Sequence, residues 1–366
     1  MRDLIAAIFA VVGTVSIWFN FLAYNAVASV ILTRSSLHLS LLASFTTIFV
    51  AFIARPLGAY VFGLIGDKSS SKTSLVLTLT AMGLSTLLIS MVTRAWYTVY
   101  ELLMLRVIQG MALGGEWAAA SVLTYESIRG GVGRLLTGMI QLGIPLGMLL
   151  TALAVIQWRS ALLVGSLLSL SSAMIILALA RGSKPIKWRP TLSIEDFKRI
   201  LKAVGVKFGE SSSFYVYTSA FLIYVNEHEI PSLITVAATS LLAFTLLTSI
   251  VLVRADPARV LIIGYVLFSL VNALMFRLQP LMLFALFGLV DAIAYTPQSL
   301  YLVSLFRSDI KHVGAGVSYH VASSLGGLMT YIISLLISMY GFGIGFVMMP
   351  ILLVVSCIVS IVTLMI

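Results

Sequence analysis

The stretch Leu4–Leu32 reads LIAAIFAVVGTVSIWFNFLAYNAVASVIL and contains no charged residue. A helix that crosses a bilayer needs roughly 20 consecutive, mostly apolar residues, so this stretch predicts a spanning helix that the chain retains. The rest of the chain has the same character, because 60% of its residues are hydrophobic and only 10% are charged. Soluble proteins need about 25% charged residues, so the composition predicts that lipid covers most of the surface.

Similar apolar runs recur along the whole chain and predict twelve membrane-spanning helices. The basic segment 181–201 is longer than the loops between the other runs, and it separates a six-helix half at 1–180 from another at 202–366. The predicted fold is therefore an all-α membrane protein of two six-helix bundles. The predicted spans are 4–32, 40–66, 74–93, 97–123, 134–157, 160–180, 202–225, 232–253, 258–277, 281–305, 313–338 and 342–365.

The basic segment between the halves contains a weak helical pattern of its own. Ile194, Phe197 and Leu201 recur at helical spacing, and Ser193 stands where a helix cap is expected. This pattern predicts a short basic helix lying on the membrane surface. A plain solvated linker is the alternative interpretation.

The distribution of lysine and arginine predicts the orientation of the chain. Cationic residues collect on cytoplasmic loops, and a cytoplasmic N-terminus puts seventeen of the 23 Lys and Arg residues on that side. Two, Arg55 and Arg106, remain within spans. The four on the opposite side are Arg34, Arg94, Arg159 and Arg277. We therefore predict that both termini are cytoplasmic and that the protein is a multi-pass protein of the cytoplasmic (cell) membrane.

Charge and cysteine usage narrow the partners of the chain. The net charge of +10 follows from cationic cytoplasmic loops, so we expect no nucleic-acid partner. Cys357 is the single cysteine, which excludes an intrachain disulfide and a cysteine zinc site. The loops leave no room for a soluble catalytic domain, and no Gly-x-x-x-x-Gly-Lys-Ser/Thr phosphate loop is present. We expect a monomer in the lipid bilayer, without cofactor or metal.

Several ionisable residues fall inside the predicted spans, where each costs about 2.5–3.5 kcal/mol to insert. Such residues are functional candidates by default, and a structural ion pair between helices is the alternative for any one of them. These residues are Arg55, Arg106, Glu116, Glu210, Asp291 and His320. Together they predict polar surfaces in both halves that face a shared cavity, as in an alternating-access transporter.

Helical geometry places these residues on common faces. In the fourth span, Gln109 and Glu116 point the same way at 100° per residue, and Arg106 lies within the same sector. In the tenth span, Asp291, Tyr295 and Gln298 follow the spacing i, i+4, i+7 and form a polar stripe. Pro297 interrupts that helix, and the freed backbone groups must find partners in protein or in a water-filled cavity.

The second span ends in RPLGAYVFGLIGDKSSSK, from Arg55 to Lys72. This segment resembles the Gly-x-x-x-Asp-Arg-x-Gly-Arg-Arg loop of the major facilitator superfamily, with Gly63, Asp67, Lys68 and Lys72 in register. The Asp67 carboxylate can accept hydrogen bonds from the N-terminal end of a neighbouring helix or pair with a cation. Such a contact can latch one conformational state, so we expect these four residues to gate the cavity.

Further segments resemble one branch of that superfamily, the metabolite:proton symporter family. The resemblance is carried by residues 55–58 (RPLG), 105–117 (LRVIQGMALGGEW), 125–126 (YE), 158–159 (WR), 295–298 (YTPQ) and 314–327 (GAGVSYHVASSLGG). It implies a solute carrier, usually driven by protons. Solutes of that family include dicarboxylates, tricarboxylates, shikimate, other organic acids, and zwitterions such as proline and betaine.

The first span departs from the family pattern. The family's Gly-x-x-x-Glu-Trp-Tyr/Phe-Asp-Phe here reads Gly13-Thr-Val-Ser-Ile17-Trp-Phe-Asn20-Phe, so both carboxylates are absent. Neither replacement titrates, and a proton-coupling site needs a group that does. Either coupling has moved to Glu116, Glu210, Asp291 or His320, or the protein is an uncoupled uniporter or exchanger.

The resulting hypothesis is secondary active transport of a small metabolite, an organic acid or related solute, coupled to protons. Arg55 and Arg106 suit a carboxylate, because a guanidinium binds it in a two-pronged geometry. Pairing of these arginines with Glu116 or Glu101 inside the protein is the alternative. A membrane-embedded enzyme or sensor is the remote alternative function. The predicted substrate-binding residues are Asn20, Tyr24, Arg55, Arg106, Gln109, Tyr295 and Gln298.

Overall fold

The computed structural model describes residues 1–33, 41–92, 98–181 and 193–366, and this part of the chain is helical without any strand. Apart from α8, the helices begin and end within a few residues of the apolar runs. They are α1 (Arg2–Thr33), α2 (Leu41–Lys68), α3 (Ser71–Met91), α4 (Thr98–Ser127), α5 (Gly131–Met139), α6 (Gly143–Ile156), α7 (Trp158–Leu179), α8 (Ile194–Tyr217), α9 (Ile230–Val251), α10 (Pro257–Ala273), α11 (Pro280–Tyr295), α12 (Gln298–Ser304), α13 (Lys311–Tyr340) and α14 (Phe342–Met365).

Two of the predicted spans are interrupted helices. A short 3-10 turn at Ile140–Leu142 joins α5 to α6. The break between α11 and α12 falls at Thr296 and Pro297, as the proline predicts, because its ring cannot continue the hydrogen-bonding pattern. Each interrupted pair corresponds to one predicted span.

The helix that opens the second half begins earlier than its apolar run. Ser193 caps α8 through a reciprocal capping box with Asp196, which confirms the predicted cap. No break separates the basic turns from the span predicted to start at 202, since α8 is continuous. The exposed Ile194, Phe197 and Leu201 therefore belong to the first turns of a long helix and not to a separate one. Residues 182–192 of the basic segment lie outside the described residues.

Nine helical segments of the described chain are long and apolar enough to cross a membrane. The other three predicted spans correspond to α4, α8 and α10. Buried ionisable residues lower the apolar content of α4 and α8, and α10 has only 17 residues.

Glycines bring α2 and α4 into close contact. A side chain at Gly110 would overlap the Ala51 carbonyl, and one at Gly114 would overlap the Arg55 carbonyl. A side chain at Gly58 would likewise overlap the backbone of Met111 on the other helix. Small residues at this spacing let two helix backbones approach, and they fix the position of Arg55 relative to α4.

The two halves of the chain meet along α13, which packs on both α2 and α4. Gly316 of α13 lies against Ala59 of α2 and Ala118 of α4. Gly138 of α5 lies against Ser249 of α9 in a second contact between the halves. The ionisable residues predicted from the sequence lie in the core on either side of this contact surface.

Candidate functional site

Arg106 is fully buried in the first half and is surrounded by neutral groups. Its Nη1 donates to Gln109 Oε1 at 2.6 Å, and its Nη2 donates to Asn25 Oδ1 at 2.7 Å. The guanidinium also lies over the rings of Phe21 and Tyr24, 4.5 and 4.3 Å from their centroids. Among the described residues no carboxylate lies within ion-pair distance of Arg106. The charge is therefore stabilised by dipoles and aromatic faces alone.

Glu116 is also fully buried, and it has a single polar neighbour. Its Oε1 accepts a short hydrogen bond from the Thr14 hydroxyl on α1, and its Oε2 has no partner. No cation of the described chain lies within ion-pair distance, so the predicted alternative of an Arg106–Glu116 pair does not form. A carboxylate in such surroundings is far less costly when it carries a proton.

The two remaining predicted substrate residues of α1 point into the first half. Asn20 Nδ2 donates to Gly165 O and to Ser169 Oγ, both at 3.0 Å, and so ties α1 to α7. The Tyr24 hydroxyl donates to Thr47 Oγ1 at 3.0 Å and ties α1 to α2. Both are bundle contacts in this state of the molecule.

A compact ionic cluster occupies the second half. Lys207 Nζ lies 2.5 Å from Glu210 Oε2, and the two side chains are only 2% and 4% exposed. The same ammonium donates to Gln298 Oε1 at 3.1 Å and lies 4.0 Å from the centroid of the Tyr319 ring. The Gln298 amide in turn donates to Glu210 at 3.4 Å. This arrangement joins α8, α12 and α13 around one cation.

Asp291 adds a second buried carboxylate to this cluster. It is 1% exposed, and its Oδ1 has no hydrogen-bond partner. The charges of Lys207 and Glu210 are close enough to act on it. Two carboxylates and one ammonium in a buried site carry net negative charge unless one carboxylate is protonated. A proton on one of the two carboxylates would make the cluster neutral.

An aromatic seam connects the ionic cluster to the first half. The Tyr295 and Tyr319 hydroxyls are 3.0 Å apart, and the Tyr319 ring stacks on Trp117 of α4 with centroids 4.0 Å apart. Gln141 accepts from Trp117 Nε1 at 3.0 Å and donates to the Tyr295 carbonyl at 2.9 Å. Tyr319 therefore contacts both Lys207 of the ionic cluster and Trp117 of the first half.

Arg55 bridges the two halves directly. Its Nε donates to His320 Nδ1 at 3.3 Å on α13, and its Nη1 donates to the Tyr215 hydroxyl at 3.1 Å on α8. Because Nδ1 accepts, the proton of a neutral imidazole lies on His320 Nε2, which is buried. Nη2 of Arg55 makes no hydrogen bond to a described residue. No carboxylate of the described chain pairs with this guanidinium.

A cavity of about 560 Å³ lies next to Arg55 between α2, α8 and α13. It extends away from the end of the molecule that carries Asp67, because its other residues precede Arg55 on α2 and follow His320 on α13. The lining residues are Phe49, Phe52, Ile53, Arg55, Tyr215, Ser219, Ser323, Ser324, Gly327, Leu328, Thr330 and Tyr331. Arg55 is the cation among them, and no acidic residue lines the cavity.

The opposite end of the α2–α13 contact is closed by a set of bonds that we call the Asp67 latch. Asp67 Oδ1 accepts from the backbone N–H of His312 at 2.8 Å, and Oδ2 accepts from that of Val313 at 3.0 Å. His312 Nδ1 also lies 2.8 Å from Oδ1. These N–H groups belong to the first turn of α13, so the predicted contact of Asp67 with a neighbouring helix N-terminus is confirmed.

Near the Asp67 latch, Gly63 allows close helix contact and an ion pair joins the two halves. A side chain at Gly63 would meet the backbone of Val313 at 3.0 Å, so glycine allows α13 to approach. Lys311 Nζ lies 2.5 Å from Glu126 Oε1 at the end of α4. Of the predicted gating lysines, Lys72 lines a smaller cavity of about 230 Å³ beside Glu126, and Lys68 ends α2.

The structure thus separates the predicted substrate residues into three groups. Arg106, Gln109 and Tyr24 lie together in the first half, with Asn20 on the same helix α1. Tyr295 and Gln298 lie around the ionic cluster of the second half, and Arg55 lies at the interface beside the cavity. Of the predicted coupling residues, Glu210 and Asp291 share the cluster, Glu116 lies alone, and His320 contacts Arg55.

Lys207 is a functional candidate that the sequence reasoning missed. The count of seventeen cytoplasmic cations includes it, and the structure instead buries it within α8. The signal was the pair Lys207 and Glu210, three residues apart within an otherwise uncharged stretch of the span. Within the described ranges, no group of three or more His, Cys, Asp and Glu residues is placed to hold a metal ion.

Comparisons with known proteins agree with this architecture. The human organic anion transporter MFSD10 (TETRAN) superposes with a TM-score of 0.73 over 98% of this chain and 99% of that chain, at 11% identity. The Escherichia coli inner membrane metabolite transport protein YhjE is 25% identical over 91% of this chain and 88% of its own length. At 11% identity, the similarity to MFSD10 concerns the fold alone.

A more similar relative matches over a shorter region. The Escherichia coli shikimate transporter is 36% identical over 155 residues, which are 40% of this chain and 35% of that protein. The Salmonella typhimurium proline/betaine transporter is 31% identical over 125 residues, 32% of this chain and 25% of that protein. The sequence model described as Major Facilitator Superfamily matches residues 10–330. Because this match covers most of the chain, the protein belongs to the Major Facilitator Superfamily.

Proposed function

We propose that this protein is a secondary transporter that moves a small anionic metabolite across the cytoplasmic membrane by alternating access, coupled to protons. The proposal also includes the topology: twelve membrane spans in two six-helix halves, with both termini in the cytoplasm. The observation that carries it is Arg55, a cation without a carboxylate partner among the described residues, on the wall of a cavity between the halves. An uncompensated guanidinium at this depth is costly unless an anion joins it.

The relatives support a carboxylate substrate. Shikimate, proline and betaine, the solutes in the names of two of them, each carry a carboxylate group. Nη2 of Arg55 makes no hydrogen bond to the described part of the chain, and a guanidinium can bind a carboxylate through two parallel hydrogen bonds. Arg106 is the weaker candidate, because its buried guanidinium already donates to Gln109 and Asn25.

The ionic cluster of the second half supports proton coupling. When Asp291 or Glu210 carries a proton, the cluster with Lys207 is neutral, and when it loses the proton Lys207 still balances one carboxylate. Lys207 attracts whichever carboxylate of the cluster is charged, whereas Glu116 has no cation of the described chain within ion-pair distance. Movement of Lys207 after deprotonation would alter its contact with Tyr319 and so the stack on Trp117.

The Asp67 latch supports an alternating-access cycle. In the described state the latch and the Lys311–Glu126 pair hold the two halves together at the end that carries Asp67, Lys68 and Lys72. The cavity beside Arg55 lies toward the other end of the helices. We propose that rocking of the halves breaks the latch, opens the cytoplasmic side and closes the opposite one.

An uncoupled uniporter or exchanger on the same fold is the second candidate. Ile17 and Asn20 occupy the positions where the related symporters carry carboxylates, and Asn20 is engaged with α7. The two candidates differ in what a proton gradient does, which makes them experimentally separable.

The test is uptake of labelled organic acids, with proline and betaine alongside, into proteoliposomes containing the full chain. Symport predicts accumulation above equilibrium only with an imposed inward proton gradient, and Asp291→Asn should abolish accumulation and preserve exchange at equal concentrations. Arg159→Gln, at an exposed arginine on α7, is the matched control and should behave as the native chain. Equilibration that ignores the gradient would establish the uniporter or exchanger, and no uptake of any solute would reject transport.

A further inference from the structure

The walls of the cavity beside Arg55 are largely apolar. Phe49, Ile53, Leu328 and Tyr331 form its rim, and each is at least half exposed. In a membrane protein such side chains face lipid or an apolar ligand, because apolar groups gain nothing from water contact. The cavity volume of about 560 Å³ is in the range of small-molecule sites, about 300–1,000 Å³.

The hydroxyl groups of α13 contribute little polarity to this cavity. Ser323 donates to the Tyr319 carbonyl at 2.9 Å, and Ser324 donates to the His320 carbonyl at 2.9 Å. Thr330 similarly donates to a carbonyl of its own helix at 3.3 Å. Their protons are used within the helix, so they are poor donors for a ligand rich in hydroxyl groups or for a second carboxylate.

Charge is concentrated at one end of the cavity. Arg55 is the cation among the lining residues, and its Nη2 is free of hydrogen bonds to the described chain. Tyr215, whose hydroxyl accepts from Nη1, lies beside it. The rings of Phe52 and Trp18 lie 5.3 and 5.5 Å from the guanidinium and shield it from other polar groups. One anionic group can be neutralised here, and a second would have no partner.

From this arrangement we infer that the substrate is an amphipathic organic monoanion, with one carboxylate bound by Arg55 and an apolar, preferably aromatic, body between α2 and α13. The inference rests on the proposed function and narrows its substrate class. A lipid acyl chain would fit the walls but would leave Arg55 without an anion. Dicarboxylates and tricarboxylates would place a second charge against Phe49, Phe52 or Leu328.

The test compares 3-phenylpropionate with succinate and with neutral 3-phenylpropanol, as competitors and as labelled solutes for exchange in proteoliposomes of the full chain. Binding to the purified protein is measured by calorimetry in parallel. 3-Phenylpropionate should bind at least tenfold more tightly than either comparison compound. Arg55→Gln should weaken its binding by about 10- to 100-fold, as expected for loss of charge-assisted hydrogen bonds. Arg159→Gln is the matched control and should leave binding unchanged.

A second variant tests the apolar body independently of the charge. A side chain at Gly327 would meet no atom within 4 Å, so Gly327→Phe should fill the cavity without disturbing its walls. Gly343→Phe is matched, because a side chain there also meets no atom within 4 Å and Gly343 does not line the cavity. Gly327→Phe should weaken the binding of 3-phenylpropionate much more than the binding of acetate. Gly343→Phe should leave the binding of both compounds unchanged. Thiol reactivity of the buried Cys357 on heating verifies that each variant is folded.

The outcomes separate this inference from the proposed function. Transport of succinate in preference to 3-phenylpropionate would overturn the inference and leave the transporter intact. An equal loss of affinity for acetate and for 3-phenylpropionate in Gly327→Phe would also overturn the inference. Co-purified phospholipid that Gly327→Phe displaces, without any change in solute binding, would show that the cavity is a lipid groove. Binding of no organic anion by the native chain would reject both proposals.

Discussion

In the first half of the chain Arg106 and Glu116 are each buried with no opposite charge of a described residue in ion-pair distance. In the second half Lys207 lies 2.5 Å from Glu210, and both are close enough to Asp291 to act on its charge. In the first arrangement neutral dipoles and aromatic faces stabilise the Arg106 charge, and Glu116 lies apart from it. The second relies on direct ion pairing, so its charges must change together. On the basis of this difference we propose that the exchangeable proton is held in the second half.

The largest expected effect comes from removing the cation of the ionic cluster. Lys207→Met leaves Glu210 and Asp291 buried together without a counter-ion, and breaking a buried pair in this way costs about 3–5 kcal/mol. We expect a strongly lowered unfolding temperature, measured by reaction of Cys357 with a fluorogenic thiol reagent on heating. The double variant Lys207→Met with Glu210→Met should recover most of the lost stability. Failure of the double variant to recover would mean that the pair does not act as a unit.

The same substitution in the two halves gives the next largest contrast. Glu210→Gln removes a charged partner of Lys207 and should cost about 1.5–3 kcal/mol. Glu116→Gln replaces a carboxyl group that is already neutral in our interpretation, and it should cost less than about 1 kcal/mol because the Thr14 hydroxyl can still donate. Thermal unfolding of the two purified variants measures both. Equal losses would contradict the distinction between an isolated carboxyl group and a paired one.

Sequence reasoning succeeded where the signal was local. Ser193 is predicted as a cap because a capping residue precedes a helical pattern, and the Asp67 carboxylate is expected to accept from a helix N-terminus or to pair with a cation because of its charge. The break at Pro297 follows from the chemistry of proline alone. The cap and the break depend on a few neighbouring residues, whereas for Asp67 only the type of contact could be expected and not its partner helix α13; the structure agrees with all three.

Partners that are distant in sequence could not be predicted in the same way. Asn25 contacts Arg106 across 81 positions, and only the packed bundle brings them together. Helical geometry placed Arg106, Gln109 and Glu116 on one sector of α4 but gave no information about the facing helices. Lys207 is counted among the seventeen cytoplasmic cations, although its spacing from Glu210 is that of an intrahelical pair.

The Asp67 latch should have a smaller effect than the ionic cluster, on conformation and not on folding. Asp67→Asn removes the negative charge that interacts with the N-terminus of α13. Such an interaction contributes up to about 2 kcal/mol, so the population of the open state should rise roughly 5- to 30-fold. A cysteine at the buried position Ala59, in a Cys357→Ser background, should react faster with a maleimide added from the latch side. Asp256→Asn is the matched control, because Asp256 caps α10 within one half.

The smallest expected effect is at the Lys311–Glu126 pair, which joins the same two halves but is partly exposed, with Glu126 36% exposed. Surface ion pairs contribute about 0.2–1 kcal/mol and are screened by salt, so Lys311→Met should raise Ala59→Cys reactivity less than about fivefold. A double-mutant cycle with Glu126→Gln isolates the pair, and its coupling should fall as the salt concentration rises. Asp67 bonds backbone N–H groups in a buried site, and its effect should depend on salt much less. If the exposed pair proved as strong and as salt-resistant as the Asp67 latch, burial would not be what distinguishes strong contacts between the halves, and the contrast between paired and isolated charge in the core would need another explanation.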